Sequence, residues 1–441
     1  MPPSAPIGPF APSPLRPDVY CMAGDEGLMF APERRLGAHQ LRHHELMRYN
    51  ILPYALAMWP LSKPDDQLVL DELWLTTPEL LRWHGRFYER MGLTPTRQLH
   101  FAPPRELYRR ALRVRPAAGR VLSVCYSYAV AEVASIRREL RATQTANSKI
   151  ELVRRAPRAG YPIPRSLVVP SAQLRPEVLA RHLGFPRTAV YAKADGLGGG
   201  FNVKRLRRAA DCAAFAESYA TGTTFVVQEA IDRRRWSEEI ADFVLRPTGV
   251  SLANVRRKLT YQNQWFGNVY SPRLYLNDAQ FQGLLACTAE LQRAGYAAPE
   301  GLLCGMDYFQ NGRTLQITDV NARFTGGYPV ALLLDRLGLR DKTLAYGHWD
   351  LLHPEDEAPY RKLVEKHAPR PGRAPKTFAL FPVSFSPAVQ EGRRYVWLLV
   401  FGDYRAFLEE KRRRLPPRSL ELAELVGRAV NEDALHERYG V

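Results

Sequence analysis

The stretch 303–317 restricts the fold more than any other: two strand-like apolar patterns separated by Asn311-Gly312. Asn-Gly accepts the positive backbone angles of a tight turn at little cost, so the pair predicts two antiparallel strands joined there. The second strand runs on as Asp319-Val-Asn321-Ala-Arg323. Alternate side chains of an extended chain share a face, so Asp319, Asn321 and Arg323 fall on one side. Asp307 on the first strand adds a second carboxylate. Two carboxylates and an amide oxygen, with phosphate oxygens completing the shell, suit Mg²⁺. Arg323 is able to grip a carboxylate or phosphoryl oxygen through paired N–H groups. A strict two-residue turn, however, pairs Asp319 with Cys304 and sends Asp307 to the opposite face. A bulge or strong twist is therefore required to bring the two acids together. A solvated acidic edge is the plainer reading, but three alternate polar positions on such a strand argue for a site.

Two earlier pieces fit a nucleotide. Lys193-Ala-Asp-Gly196-Leu-Gly198-Gly199-Gly200 lies between strand patterns. Its free backbone N–H groups are suited to phosphate oxygens, with Lys193 as a point charge. Taken alone it reads as an ordinary turn. It lacks the Gly-Lys-Ser/Thr of a Walker loop, and the strand after it excludes a dinucleotide fingerprint. The strand 224–231 ends in Gln228-Glu229 and can present backbone groups to an adenine edge; alone it reads as a core strand. Lys258 sits on a strand-like segment that could face a γ-phosphate, with a charged strand edge as the equal alternative. His43-His44 and the other histidines show no metal-ligand spacing.

The 441 residues are too many for one ordinary core. Residues 1–17 are Pro-rich and read as a disordered tail, not a signal peptide. Residues 18–146 alternate strand-like and helix-like pieces, including a helix opened by Thr77-Pro78-Glu79 and stopped at Gly92, and a second over 129–143. From 147 the texture changes: strands at 166–169, 189–193, 200–206, 224–231 and 241–245, helices at 171–182 and 209–219, and a helix capped by Asn277. Beyond 337 come a Pro-rich charged stretch, strands at 378–385 and 395–400, and a charged C-terminal helix. The expected divisions are thus 1–17, 18–146, 147–337 and 338–441.

Hydrophobic residues make up 46% and charged residues 24%, enough for packed cores. The most apolar window, 51–61, is too short to span a bilayer and is broken by Pro53 and Pro60, so no membrane association is expected. Five scattered cysteines without a CxxC pair fit a reducing cytoplasm. The net charge of +17 would attract an acidic partner or nucleic acid. Because it comes mostly from Arg spread through every segment, codon usage explains it as well, and no zinc-finger, RNP or recognition-helix pattern accompanies it.

The order Asn147-Ser-Lys149, Lys193-Ala-Asp-Gly-Leu-Gly-Gly-Gly200, Val-Val-Gln-Glu229, Asp307, then Asp319-Val-Asn-Ala-Arg323 resembles the ATP-grasp superfamily over residues 147–337. The resemblance implies an α/β and α+β architecture: an ATP-grasp fold after a small Rossmann-like α/β domain and before a small α+β domain. It implies ATP and Mg²⁺ as cofactors. Lys149, Lys193 and Gly196, Gly198, Gly199 and Gly200 would meet phosphates, and Gln228, Glu229 and Ile231 would line adenine. One of Glu238 or Glu239, Glu238 first, would hold ribose, with the Arg233–Arg235 insertion blurring that alignment. Asp307, Asp319 and Asn321 would hold metal; Arg323 and Lys193 would be catalytic. The family usually has Glu where Asp319 stands, and often Glu where Gln228 stands.

The three-part layout and Val320-Asn-Ala-Arg-Phe-Thr-Gly-Gly327 are similar to the peptide ligase of pheganomycin biosynthesis and its relatives. That similarity implies an ADP-forming ligase of natural-product biosynthesis, joining an amino acid or related small carboxylate to an amine or peptide through an acyl phosphate. A homodimer is compatible with it. A bicarbonate-activating carboxylase is the alternative, but that subfamily carries a Glu four residues past the Arg, where this chain has Gly327. A basic ATP-binding module without chemistry is the other alternative, against which the retained lysines and acids argue.

Overall fold

The computed structural model describes residues 6–195, 202–220, 222–261 and 264–438. Among them the strands form three sheets. The first is wholly parallel, in the spatial order Ile7–Gly8, Arg120–Leu122, Asp18–Tyr20, Gln67–Asp71, Leu99–Ala102. Its strands are fully or largely buried, as a parallel sheet requires, except the edge strand Leu99–Ala102, of which only Ala102 is buried. The helix Pro78–Arg90 lies where Thr77-Pro78 and Gly92 predict it, with Gly92 at φ +74°, although the Thr77 side chain makes no capping bond. The expected helix 129–143 is instead two, Tyr128–Ala131 and Arg137–Asn147.

Residues 6–17 correct the expectation of a disordered tail. Ile7 and Phe10 are fully buried, Ile7 pairs with Val121, and the Pro9 carbonyl accepts from the Leu303 amide at 2.9 Å. Prolines do not prevent this, because an edge strand can do without some of its ladder donors.

The second sheet is antiparallel and follows the order Leu315–Asn321, Leu302–Gln310, Ser237–Arg246, Gly249–Tyr261, Gln264–Tyr270, Ala345–Leu352, Arg393–Gly402, Phe378–Gln390. The strands expected after residue 337 are present and continue this sheet, so the boundary expected there does not interrupt it. The third sheet, Ser166–Pro170, Thr224–Glu229, Val190–Ala194, Val203–Leu206, closes a separate small core with the helices Pro176–Leu183 and Ala209–Glu217. Asn277 caps Asp278–Arg293 as predicted, its Oδ1 accepting from the Gln280 amide at 2.9 Å.

Candidate active site

The hairpin at residues 302–321 departs from the expected turn. Gln310 pairs with Leu315, so the loop has four residues, and the Asn311 Oδ1 folds it by accepting from the Arg313 and Thr314 amides at 3.1 and 3.0 Å. A register shift then falls between Asp307 and Tyr308: Tyr308 faces Ile317, while Asp307 faces Asp319. Thr318 is the extra residue. This bulge is the device the sequence required, and it sets the two carboxylates directly opposite each other.

The bulge also joins the small sheet to the large one. Lys193 Nζ donates to the Thr318 carbonyl at 2.8 Å, and Thr318 Oγ1 donates to the Asp307 carbonyl at 3.2 Å. Burial lowers the Lys193 ammonium to about 8, with Asp319 opposing the shift and Lys149 and Lys258 reinforcing it.

Three lysines meet three carboxylates on this face. Lys149 Nζ lies 3.2 Å from Asp319 Oδ2; Lys258 Nζ lies 2.8 Å from Asp307 Oδ2 and 2.9 Å from Glu238 Oε1. Burial alone would raise the Asp319 carboxyl, but Lys149 and Lys193 outweigh it and hold it below the usual range. Glu238 behaves alike: burial is outweighed by Lys258 and Arg233, and Arg233 also bonds its carboxylate. Glu239 points to the other face, where it is buried and accepts from Tyr308 and Gln310. Of the two glutamates, only Glu238 therefore shares the face of the acid pair.

Asn321 Nδ2 donates to Asp307 Oδ1 at 3.3 Å, and Asn321 Oδ1 accepts from Arg323 at 2.8 Å. Arg323 lies just past the strand, with its Nε 3.8 Å from Glu26 Oε1 of the N-terminal part of the chain. Among the described residues no group of three or more His, Cys, Asp or Glu gathers as a metal site. A cation here would depend on two carboxylates, one amide and oxygens of a bound phosphate. That hard-oxygen set fits Mg²⁺, which commonly binds through one or two carboxylates and phosphate oxygens.

The predicted adenine residues divide. Gln228 is buried on the small sheet that also carries Lys193; its Nε2 donates to Ser166 Oγ at 3.0 Å, and its Oε1 has no hydrogen-bond partner among the described residues. A buried acceptor left this way suits an amino group of a ligand. Glu229 instead pairs with Arg165 at 3.1 Å and is 38% exposed, while Ile231 lies half-buried beyond the strand end. The loop residues Gly196, Gly198, Gly199 and Gly200 lie outside the described residues.

Several site-building residues escaped the sequence reading. Asp195 opens the glycine loop and accepts from Ser148 Oγ and the Lys149 amide, both at 2.7 Å. Asn147 holds Ala322, between Asn321 and Arg323, by accepting from its amide at 2.9 Å and donating to its carbonyl at 3.2 Å. Beneath the Arg323 loop, the buried Arg256 donates to Asp242, to Asn254 Oδ1 at 2.8 Å and to Thr325 Oγ1 at 3.1 Å. A Cβ at Gly327 would stand 2.0 Å from Arg256 Nε.

No protein-family model matches this sequence, and no curated protein does. Solved structures do match. Phosphoribosylamine–glycine ligase from Thermotoga maritima superposes with a TM-score of 0.51 at 13% identity, covering 92% of this chain and 96% of that one. N5-carboxyaminoimidazole synthetase from Staphylococcus aureus gives 0.51 at 10% identity, covering 92% and 99%; its ADP complex gives 0.51 at 10%, covering 90% and 96%. The architecture that carries the bulged acid pair is the ATP-grasp fold, which this chain has in common with these enzymes.

Proposed function

We propose that this chain is an ATP-dependent carboxylate–amine ligase that forms ADP and an amide or peptide bond. The observation that carries the reading is the Asp307–Asp319 pair across the bulge, ringed by Lys149, Lys193 and Lys258. An acid pair balanced by lysines on the face of an ATP-grasp sheet is suited to triphosphate with Mg²⁺, and gains nothing as mere packing.

In this reading Asp307, Asp319 and Asn321 would hold Mg²⁺, which supplies charge neutralisation between the phosphates. Lys149, Lys193 and Lys258 exchange their present partners for phosphate oxygens. Gln228 offers its unpaired Oε1 to the base, and Glu238 accepts from ribose. Arg323 orients the substrate carboxylate for in-line attack on the γ-phosphate, giving an acyl phosphate and ADP. An amine then displaces phosphate. Exclusion of water protects the acyl phosphate.

The nitrogen-ligating reading is favoured over a bicarbonate-activating one by Gly327. Arg256 fills the space a side chain there would need, so no acid stands four residues past Arg323. A role in natural-product biosynthesis, with a peptide as the amine, rests on the resemblance of the three-part layout and of Val320–Gly327. The test is phosphate and ADP release across a panel of carboxylic acids, each alone and paired with amines and peptides. Products limited to AMP and pyrophosphate would reject the reading.

A further inference from the structure

Lys149 and Lys193 reach the acid pair from different parts of the chain, and one side chain ties them together. Lys193 sits on the strand Val190–Ala194 of the small sheet, and Asp195 follows two residues later. Alternate residues of an extended chain share a face, so both side chains leave the small sheet on the same side. Lys193 Nζ donates to the Thr318 carbonyl at the bulge, at 2.8 Å. The Asp195 carboxylate makes the other half of the contact: its Oδ1 accepts from the Lys149 amide and its Oδ2 from Ser148 Oγ, each at 2.7 Å.

Those two donors begin the helix Lys149–Ala159. The first amides of a helix have no partner within it. Ser148 supplies one partner locally, its Oγ accepting from the Glu151 amide at 3.2 Å. The Lys149 amide is met instead by Asp195, 46 residues further on. A carboxylate is also the group that the positive end of a helix favours. Asp195 is itself fixed: its carbonyl accepts from Nδ2 of the buried Asn202 at 3.1 Å, and the Asn202 carbonyl accepts from the Ala194 amide at 3.0 Å. The main chain that carries Lys149 is thus held from the small sheet, while its ammonium lies 3.2 Å from Asp319 Oδ2. Both carboxylate bonds of Asp195 go to neutral donors, so the group acts by geometry and not by balancing a lysine's charge.

We infer that Asp195 is a positioning residue for the triphosphate: it sets the backbone of Lys149 and so yokes that lysine to Lys193, and the two ammoniums meet the phosphates in one fixed arrangement. This rests on the nucleotide part of the ligase reading and adds to it a residue that acts through Lys149.

The test is binding of ATP with Mg²⁺ by the full-length protein, measured by calorimetry. Asp195→Ala should weaken it on the order of tenfold, the scale of one hydrogen bond to a charged group. Asp195→Asn still offers an oxygen to the Lys149 amide and should restore most of the affinity. A merely structural residue would cost the same factor whatever stands at position 149. Here the loss should vanish in a Lys149→Met background, which keeps the stem but has no ammonium to misplace. In the unliganded Asp195→Ala protein, hydrogen exchange should quicken at the amides of residues 148–151 and stay unchanged in the strands of the large sheet. Full affinity in Asp195→Ala, or an equal loss with and without the Lys149 ammonium, overturns the inference while the ligase reading stands. Absence of ATP binding by the unmodified protein overturns that reading, and the inference with it.

Discussion

Asn147 grips both backbone groups of Ala322, accepting from its N–H at 2.9 Å and donating to its C=O at 3.2 Å. One amide thus fixes the peptide between Asn321 and Arg323, two residues before Lys149 begins its helix. Removing it leaves two buried backbone groups unpaired, a loss of about 1–3 kcal/mol for each. Asn147→Ala should lower the melting midpoint by several degrees and lower kcat further than that destabilisation explains. Steady-state kinetics well below the melting range, beside calorimetric ATP binding, checks this; unchanged kcat would show that the grip is only structural.

Lys193 gives a pH signature. Burial holds its ammonium near 8, so the side chain is mostly charged at pH 7 and mostly neutral at pH 9. A phosphate ligand favours the charged form, and binding above pH 8 then takes up a proton. ATP affinity should fall as pH rises through 8, approaching about tenfold per pH unit beyond it. Lys193→Arg should flatten the profile. Calorimetry between pH 7 and 9.5 decides it, and a flat profile in the unmodified protein would remove Lys193 from the phosphate site.

Arg323→Lys keeps the charge and loses the planar fork. The loss should fall on use of the acid and on turnover, on the order of 10²-fold, with ATP affinity little changed. Kinetics varied in the acid, beside ATP titration, makes the comparison. Weakened ATP binding with normal turnover at saturation would make Arg323 a nucleotide ligand.

Asp319→Asn preserves the shape of the acid while removing its charge. Turnover should fall on the order of 10²-fold or more, the scale of losing a preorganised charged group in other sites. The fold should remain, because the amide can still accept from Lys149. A near-normal rate at ordinary Mg²⁺ would show that Asp319 holds no metal.

Gly327→Ala places a methyl group where Arg256 Nε already stands. Arg256 has little room to yield, since it is tied to Asp242, Asn254 and Thr325. Overpacking of this kind costs about 1–3 kcal/mol, readable as a lower denaturant midpoint with unchanged slope. An unchanged midpoint would mean that the Arg323 loop is softer than its hydrogen bonds imply.

The hairpin and the meeting of its two acids were legible because local patterns encode them. Leu315 and Ile317 are buried, then Val320 and Ala322. That step of three between apolar positions marks the bulge within the sequence itself. Asn311-Gly312 located the turn but misjudged its length, because the Asn311 side chain, not backbone twist alone, closes the loop. What remained hidden depends on distant partners. Asn147 meets Ala322, Glu26 meets Arg323 and Arg256 meets Thr325 only after separate sheets have packed. The strand Gly249–Tyr261 was seen only around Lys258, since its site face carries Asn254, Arg256 and Lys258 and so lacks an apolar period.

Because one ladder of hydrogen bonds runs unbroken from Asp319 to Phe378–Gln390, the part of the chain beyond Leu337 is no detachable appendage. A chain ending near Leu337 would strip the outer edge from the strand Gln264–Tyr270, which now pairs with Ala345–Leu352. The bare amides and the uncovered Val269 would then offer a template to neighbouring molecules. Shortened forms of this protein should fail first as aggregates, and only then as catalysts.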